Sequence, residues 1–414
     1  MLLVPIPSFA YQPFISEYFM LENSKTSIQV KPHTGDVEKA VRGLGWEWCV
    51  EDGCANYVPG EAVVITEDQA EELLDAASSL YNMMVQAIPN DLPDAFLQVL
   101  GIPENLWQLV RQSWSDDRQV HLYGRFDLAM TPDGPKMLEF NADTATSIPE
   151  TAVVQWASLA AAGKNDALQY SGLYEALVEQ LRVWRERNED LAPALLVTYI
   201  GASAEDEANC SVITQAANEA GFEAHLCPIE EVSFSTEGDE KGVWAQVESE
   251  QWRHFPFLFK LLPWEQIAWE EPELLQTLTL LSRSRTITIA NPAYTLLFQS
   301  KGMLAWLWKA FPYHPLLLEA DVEPLSGKYI KKPYFGREGQ SVEVVDRGRV
   351  TKVRGDYDKQ QQVYQRWCEL PEDGKGYQYQ AGVFWSGEGA AIGFRREKGI
   401  ITNLSQFVPH LIEG

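Results

Sequence analysis

Apolar and polar residues alternate on both sides of a short turn in the first half of the chain. Two strand-prone runs, 121–130 and 136–141, flank the breaker-rich segment 131–135, Thr-Pro-Asp-Gly-Pro. Residues two apart in a strand share a face, so the pattern predicts a hairpin with one polar and one apolar face. A register symmetric about Asp133 gives the expected cross-strand pairs Arg125 with Asn141, Asp127 with Glu139, and Met130 with Lys136. The apolar face would carry Phe126, Leu128, Leu138 and Phe140.

The polar face of this hairpin carries candidate chemistry. Asp127 and Glu139 would lie roughly 5 Å apart between Cβ atoms, where two carboxylates repel unless a cation lies between them. With the Asn141 amide oxygen they form an all-oxygen donor set, which suits Mg²⁺ better than zinc. Arg125 on the same face could bind a phosphate or a carboxylate. The alternative interpretation is a solvated polar face on an amphipathic hairpin.

Helical periodicity marks the segments around this hairpin. Thr66 with Gln69 forms a capping-box pattern at the start of a helix. Apolar spacing of three and four residues predicts helices over 66–88, 92–115 with a break near Gly101 and Pro103, 148–162, 173–187 and 296–310.

A different alternation follows at residue 194. The apolar run 194–200 predicts a buried strand, 205–220 a helix and 223–227 a second strand, which together form a βαβ unit with parallel strands. The loop after the first strand carries Glu205 and Asp206 at the sheet edge where α/β proteins bind ligands. These acids could receive a polyamine, or they could be a helix N-terminus favoured by its dipole.

The last 90 or so residues favour antiparallel strands. Strands 328–333 and 342–345 enclose the loop 334–341, in which Gly336 and Gly339 would let backbone N–H groups approach phosphate oxygens beside Lys332. The pattern is not a Walker A sequence. A second hairpin, 377–385 and 390–396, suggests with this loop a lid over a nucleotide.

Composition excludes several classes of protein. The chain has 414 residues, 45% of them hydrophobic, and a net charge of −26, which disfavours nucleic-acid and anionic-membrane partners. It contains no apolar run long enough for a membrane span, and the N-terminus lacks the basic region of a signal peptide. Five scattered cysteines without a CxxC pair indicate neither a zinc site nor a disulfide framework, so we expect a reducing, cytoplasmic location.

Five motifs in order resemble the glutathionylspermidine synthase family, and most closely its stand-alone, synthetase-like members. They are RFD…EFNADTATS from 125, NPAYTLLFQSKGMLAWLW from 291, IKKPYFGREGQSV from 330, YQ…LP from 364 and IGFRRE from 392. The resemblance covers residues 30–414 and implies a mixed α/β, ATP-grasp carboxylate–amine ligase. Some members of the family have an additional amidase domain, which carries a cysteine nucleophile. We expect no such domain in this chain.

The resemblance also implies roles for individual residues. Asp127, Glu139 and Asn141 match magnesium ligands, and Arg125 and Arg395 match arginines at the substrate carboxylate and the acyl phosphate. Lys301, Lys332, Gly336, Gly339 and Gln340 match ATP phosphate contacts, Gln365 lies in the adenine-hinge stretch, and Thr144 matches a thiol-peptide contact. Glu205 and Asp206 occupy roughly the place of the amine-binding acids.

These inferences predict an ATP- and Mg²⁺-dependent ligase acting on a glutathione-like peptide and a spermidine-like polyamine. The same chemistry on another acid and amine, or a nucleotide-binding protein without turnover, stay open, as does an oligomer. The expected division is an extension 1–30, a mixed segment 31–193 carrying the hairpin 121–141, a βαβ substrate subdomain 194–295 and a nucleotide-binding lid 296–414. The group that deprotonates the amine is not identified.

Overall fold

The structure is a computed structural model that describes residues 26–33, 36–45, 57–163, 168–248, 251–402 and 405–413. Most of the predicted extension 1–30, together with Cys49 and Cys54, lies outside these residues. The α-helices described are α1 (Val37–Gly43), α2 (Glu67–Ala87), α3 (Asp94–Val99), α4 (Trp107–Ser115), α5 (Gln155–Ala161), α6 (Leu173–Glu186), α7 (Ala204–Glu219), α8 (Trp264–Glu270), α9 (Pro272–Arg283), α10 (Thr295–Gln299) and α11 (Gly302–Ala310).

The strands within the described residues form five sheets. They are β1 (Gln29–Pro32), β2 (Glu61–Ile65), β3 (Gly124–Thr131), β4 (Gly134–Asn141), β5 (Ala194–Tyr199), β6 (Glu223–Pro228), β7 (Ser233–Ser235), β8 (Gly242–Glu248), β9 (Gln251–His254), β10 (Phe257–Lys260), β11 (Thr288–Ala290), β12 (Ala320–Asp321), β13 (Tyr329–Pro333), β14 (Glu343–Asp346), β15 (Arg349–Lys352), β16 (Gln362–Arg366), β17 (Gln378–Ser386), β18 (Glu388–Glu397), β19 (Gln406–Val408) and β20 (His410–Ile412).

The predicted βαβ unit is present. Strands β5 and β6 pair in parallel across α7, and the sheet has the order β11-β10-β5-β6. Every residue of β5 is buried, which explains its uninterrupted apolar sequence. Ser203 caps α7 by accepting a hydrogen bond from the Asp206 backbone N–H at 3.1 Å.

The predicted hairpin 121–141 is β3 and β4, but its turn is tighter than expected. Thr131 pairs with Gly134 across a two-residue turn, and Gly134 has a φ of +87° that glycine tolerates. The expected pairs Arg125–Asn141 and Asp127–Glu139 are confirmed, whereas the pair Met130–Lys136 is wrong. A bulge after Asp127 adds one residue, Leu138, to β4.

The bulge also corrects the predicted apolar face. Met137 is 1% exposed and takes the core position, together with Phe126 and Phe140, whose rings stack with centroids 3.8 Å apart. Leu138 instead lines the cleft described below. The extra residue exchanges the core-facing and cleft-facing positions of β4 between the bulge and the turn. A register drawn symmetrically about Asp133 cannot anticipate this exchange.

The second C-terminal hairpin does not belong to the expected lid. Strand β17 pairs with β3, so β17 and β18 form the middle of the antiparallel sheet β19-β18-β17-β3-β4. The glycine loop lies between β13 and β14 of a separate sheet, β12-β16-β13-β14-β15. The remaining sheets have the orders β1-β2-β20 and β7-β8-β9.

The described residues form more than one apolar cluster. One of these clusters connects the layers and contains Leu73 of α2, Phe126 of β3, Leu196 of β5, Phe298 of α10 and Val363 of β16. These residues come from three of the predicted segments, so the boundaries at 193 and 295 stay predictions. Among the described residues, no helix combines the length and apolarity needed to cross a bilayer.

The helix predicted over 296–310 is interrupted. It divides into α10 and α11 at Ser300 and Lys301, where Ser300 Oγ donates to the Leu100 carbonyl and accepts from the Gly302 N–H. This break brings Lys301 to the start of α11, next to the glycine loop. The other predicted helices are confirmed, including the capping box of Thr66 and Gln69.

Candidate functional site

All the predicted site residues line one cleft of about 460 Å³ between the antiparallel sheet, the βαβ sheet and the glycine loop. They are Arg125, Asp127, Glu139, Asn141, Thr144, Glu205, Asp206, Lys301, Lys332, Gly336, Gly339, Gln340, Gln365 and Arg395. The roles assigned to them above stay predictions, but their convergence in space is a property of the fold.

The polar face of β3 and β4 forms the floor of this cleft. Arg125 donates to both oxygens of the buried Asp127, at 2.8 and 3.3 Å, and to the Thr146 carbonyl at 2.8 Å. Asn141 Nδ2 donates to Asp127 Oδ2 at 3.3 Å. The arginine therefore compensates the buried carboxylate and is held in a fixed direction itself.

The side chain of Lys332, a residue of β13, lies against the bulge of β4. Its ammonium donates to the Leu138 carbonyl at 3.1 Å and to Gln365 Oε1 at 3.0 Å, while Gln365 Nε2 donates to the Met137 carbonyl. The extra residue of the bulge therefore supplies a carbonyl that orients Lys332. Gln365 is buried in this arrangement, so its side chain positions Lys332, and its contact with a nucleotide stays a prediction.

Lys301 joins the carboxylate side of the cleft to the glycine loop. Its ammonium donates to the Gly336 carbonyl at 2.8 Å and lies 3.3 Å from Glu139 Oε2. Burial alone would raise the pKa of the Glu139 carboxyl, but Lys301, Lys332 and Arg125 outweigh it and lower this pKa to about 2. Glu139 is therefore ionised at any physiological pH.

The donor set fits a magnesium ion by its chemistry. Glu139 is an ionised carboxylate, Asp127 is buried against Arg125, and the Asn141 amide oxygen remains on the same face because its nitrogen binds Asp127. Such hard oxygen ligands suit Mg²⁺. Nowhere in the described residues do three or more His, Cys, Asp or Glu side chains cluster as metal ligands. The proposed magnesium ligands are therefore two carboxylates, Asp127 and Glu139, and the amide oxygen of Asn141.

The glycine loop is fastened to the rest of the molecule by Arg337. This side chain contacts Glu265 Oε1 of α8 at 2.5 Å and donates to Thr144 Oγ1 at 3.0 Å. The Thr144 hydroxyl, predicted to contact a thiol peptide, is thus engaged by the loop. Gly339 has a φ of +69°, and a Cβ there would lie 2.9 Å from the Ile401 carbonyl oxygen.

Arg395, Glu205 and Asp206 also line the cleft. Arg395 of β18 donates to Ser147 Oγ at 2.7 Å and to the Thr402 carbonyl at 3.3 Å. Glu205 and Asp206 are half-buried in the first turn of α7. Burial raises the pKa of both carboxyls, and the pKa of Glu205 reaches about 7.

Buried polar groups that the sequence patterns did not single out hold this cleft in shape. Gln299 Oε1 accepts from the backbone N–H of Ala142 and Asp143, and Lys260 forms an ion pair with Asp143 at 3.0 Å. Glu265, the partner of Arg337, was also missed. The signal available in the sequence was an arginine in a glycine loop, which needs an acidic partner when the loop is packed.

Comparison with known proteins places the chain in a family. The family described as "Glutathionylspermidine synthase preATP-grasp" matches residues 28–413, which include every residue of the cleft. The chain belongs to the glutathionylspermidine synthase family. Membership in this family confirms the resemblance drawn from the five motifs. It also confirms the predicted fold class, a mixed α/β, ATP-grasp fold.

Individual relatives of this glutathionylspermidine synthase family member differ in length. The chain is 26% identical to a Haemophilus influenzae protein provisionally named an acid–amine ligase, covering 92% of this chain and 97% of that protein. It is also 26% identical to the bifunctional glutathionylspermidine synthetase/amidase of Escherichia coli, covering 77% of this chain but 54% of that enzyme. The chain thus spans about half the length of the bifunctional relative.

A solved structure supports the fold of the family member. The glutathione synthetase-like effector of Globodera pallida aligns with a TM-score of 0.51 over 85% of this chain and 89% of its own, at 11% identity. At that identity the likeness concerns the fold alone.

Proposed function

We propose that this protein is an ATP- and Mg²⁺-dependent ligase that joins the carboxylate of a glutathione-like peptide to a spermidine-like polyamine through an acyl phosphate. The observation that carries the proposal is the meeting of three groups in one cleft. These are the oxygen donors of β3 and β4, the cations of four separate elements, and a glycine loop.

The cations suit a triphosphate and its reaction. Lys301 and Lys332 enter the cleft from the start of α11 and from β13, and the glycine loop that also lines the cleft follows β13 directly. A carboxylate is a poor electrophile, so its oxygen must first take the γ-phosphoryl group of ATP. The two ammonium groups would hold the phosphates of the departing ADP.

Asp127, Glu139 and Asn141 are the residues that would hold Mg²⁺, which would neutralise charge on the phosphate oxygens. Arg125 lies beside them, and Arg395 lies farther along the cleft. We assign these two arginines to the acceptor carboxylate, because a guanidinium binds two carboxylate oxygens in one plane. Both are held by hydrogen bonds to fixed partners, so little reorganisation is needed when the carboxylate binds.

The amine would bind at the end of the cleft with Glu205 and Asp206. Two half-buried carboxylates there can bind one charged end of a polyamine. The relatives named after glutathionylspermidine and trypanothione support the choice of substrates. The Haemophilus influenzae relative, whose name specifies neither acid nor amine, leaves another substrate pair as the second candidate.

Release of ADP measured against a matrix of thiol peptides and amines tests the proposal. We expect turnover that requires both partners, with glutathione and spermidine among the best, and an amide product detected by mass spectrometry. Turnover that is best with a neutral or acidic amino acid as the amine would contradict the polyamine assignment and leave the ligase chemistry. ATP binding without ADP release for any pair would indicate a nucleotide-binding protein and contradict the ligase.

A further inference from the structure

The proposed reaction leaves one proton unassigned. A polyamine is protonated at neutral pH, and an ammonium nitrogen has no lone pair with which to attack an acyl phosphate. The carboxylates that bind the amine favour its charged form, so a group in the cleft must accept a proton.

The two carboxylates of the cleft floor are unsuited to accept it. Asp127 is paired with Arg125, and the cations around Glu139 hold its pKa at about 2. A carboxylate with a pKa of about 2 gives little driving force for proton transfer at neutral pH.

Glu205 is placed differently. It lines the cleft in the first turn of α7, and among the described residues no side chain donates a hydrogen bond to its carboxylate or lies within 4 Å as an ion-pair partner. The charged groups that act on it are Glu150, Asp206 and Glu338, with Arg395 opposing them. Burial and these three acids raise its pKa to about 7, while Arg395 alone lowers it.

Among the charged residues that act on Glu205, Glu150 differs in being buried with one unsatisfied oxygen. It lies at the start of the π-helical turn Glu150–Val154 and is 1% exposed, with Oε1 accepting from the Tyr57 hydroxyl at 2.8 Å. Its other oxygen, Oε2, is buried and has no hydrogen-bond partner among the described residues. A buried carboxylate with one unsatisfied oxygen is costly, and burial raises the pKa of the Glu150 carboxyl.

We propose that Glu205 accepts the proton of the attacking amine, assisted by the neighbouring buried carboxylate of Glu150. The inference rests on the proposed ligase function. One N–H bond of the ammonium breaks toward a Glu205 oxygen, and the freed lone pair forms the C–N bond. As the C–O bond to phosphate breaks, the leaving phosphate takes the second proton from the attacking nitrogen and departs as hydrogen phosphate, which leaves the neutral amide. Glu205, which is half-buried, then passes its proton to water.

The test separates this step from the formation of the acyl phosphate. Hydroxylamine is uncharged at neutral pH and attacks acyl phosphates without a base, so it reports the first half of the reaction. Spermidine requires both halves. Wild type, Glu205→Gln, Asp206→Asn, Glu150→Gln and the exposed control Glu207→Gln would be assayed with ATP, Mg²⁺ and glutathione. Spermidine would be used across pH 5–9, and hydroxylamine at pH 7 and above, where it is uncharged.

We expect Glu205→Gln to lower kcat for spermidine by about 100-fold or more, the range for loss of a general base, and to keep hydroxamate formation. Asp206→Asn should raise the KM for spermidine with a smaller effect on kcat. Glu150→Gln should shift the acidic limb of the spermidine profile to lower pH, because removing a like charge lowers the pKa of Glu205. The Glu207→Gln control should match wild type.

Three results would overturn the inference. A Glu205→Gln protein with wild-type kcat and a raised KM would make Glu205 a binding residue only. Loss of hydroxamate together with the amide would place Glu205 before the amine step. An acidic limb unmoved in Glu150→Gln would remove Glu150 from the mechanism. If wild type forms neither hydroxamate nor amide, the ligase function itself fails, which is a distinct outcome.

Discussion

At the scale of single residues, the cleft pairs each carboxylate of its floor with a particular cation. Asp127 is bound by Arg125, and Glu139 lies against Lys301. Each cation therefore lowers the cost of burying its carboxylate, and each carboxylate holds its cation in place at the cleft. Loss of either member leaves an uncompensated charge, which makes these pairs sensitive to substitution.

Glu139→Gln should abolish turnover without unfolding the protein. The substitution preserves the shape of the side chain but removes the charge assigned to magnesium, so we expect at least a 100-fold or so drop in ADP release. Circular dichroism would verify the fold. Asp133→Asn, a carboxylate at the exposed turn of the same hairpin, is the matched control and should retain activity. Normal turnover in a folded Glu139→Gln protein would remove the metal site from this hairpin.

Lys332 should couple ATP binding to proton uptake. Burial, opposed by Glu139 and reinforced by Lys301, lowers the pKa of its ammonium to about 8, so the free protein loses this charge above that pH. Bound phosphates would raise the pKa again, and ATP binding near pH 8–9 should therefore take up a proton. Calorimetry in buffers of different ionisation enthalpy measures this uptake.

The variant Lys332→Met should abolish the uptake and weaken ATP binding by about 1.5–3 kcal/mol, the scale of a hydrogen bond to a charged group. Lys331→Met is the control, since its ammonium points to Glu343 at 3.2 Å. Equal proton uptake in wild type and Lys332→Met would assign the titration to another group.

At the scale of secondary-structure elements, the cleft depends on irregularities. The bulge of β4 turns the Leu138 carbonyl toward Lys332, and the break between α10 and α11 brings Lys301 against the loop. The loop itself is connected to α8 through Arg337 and Glu265. Regular strands and an unbroken helix would leave these groups on separate surfaces.

Glu265→Gln should loosen the glycine loop. The neutral amide binds Arg337 less strongly, so backbone amides of residues 336–341 should exchange hydrogen faster, and trypsin should cleave sooner after Arg337. Glu270→Gln, at the exposed end of the same helix, is the matched control. Adding ATP and Mg²⁺ should restore protection in Glu265→Gln if the loop covers the nucleotide. Identical exchange in all three proteins would show that Arg337 does not hold the loop.

At the scale of the whole molecule, the charge distribution bears on the substrate. The chain has a net charge of −26, while both cations and acids line the cleft. A polyamine would be attracted both by the long-range field of the protein and by the acids proposed to bind it. ATP would reach the proposed site against that field and would depend on local contacts.

Ionic strength should therefore act on the amine more than on a neutral nucleophile. Screening over about 8–10 Å at ordinary salt should lower kcat/KM for spermidine as salt rises, because both attractions weaken. Hydroxylamine, measured under the same conditions, is the control and should change little. A parallel fall for both nucleophiles would point to a salt effect on ATP or on the fold.

The local sequence determined much of this protein. Alternation and breakers specified the β3–β4 hairpin and the pairing of Asp127 with Glu139, and apolar periodicity with the Thr66 cap specified α2. These features follow from interactions between residues close in sequence, which a pattern records directly. The five motifs contain every predicted site residue except Glu205 and Asp206, and all the predicted site residues line one cleft.

Tertiary structure alone decided the rest. The bulge at Leu138, the pairing of β17 with β3 and the link from Arg337 to Glu265 join residues that lie far apart in the chain or depend on strand register. The same holds for Glu150, whose unsatisfied oxygen is invisible in the sequence because burial is a property of the packed molecule. Local sequence patterns identified which side chains were candidates for the site, whereas long-range packing determined which of them contact one another. Contacts between distant segments are not encoded in the periodicity of either segment, so the patterns could not predict them.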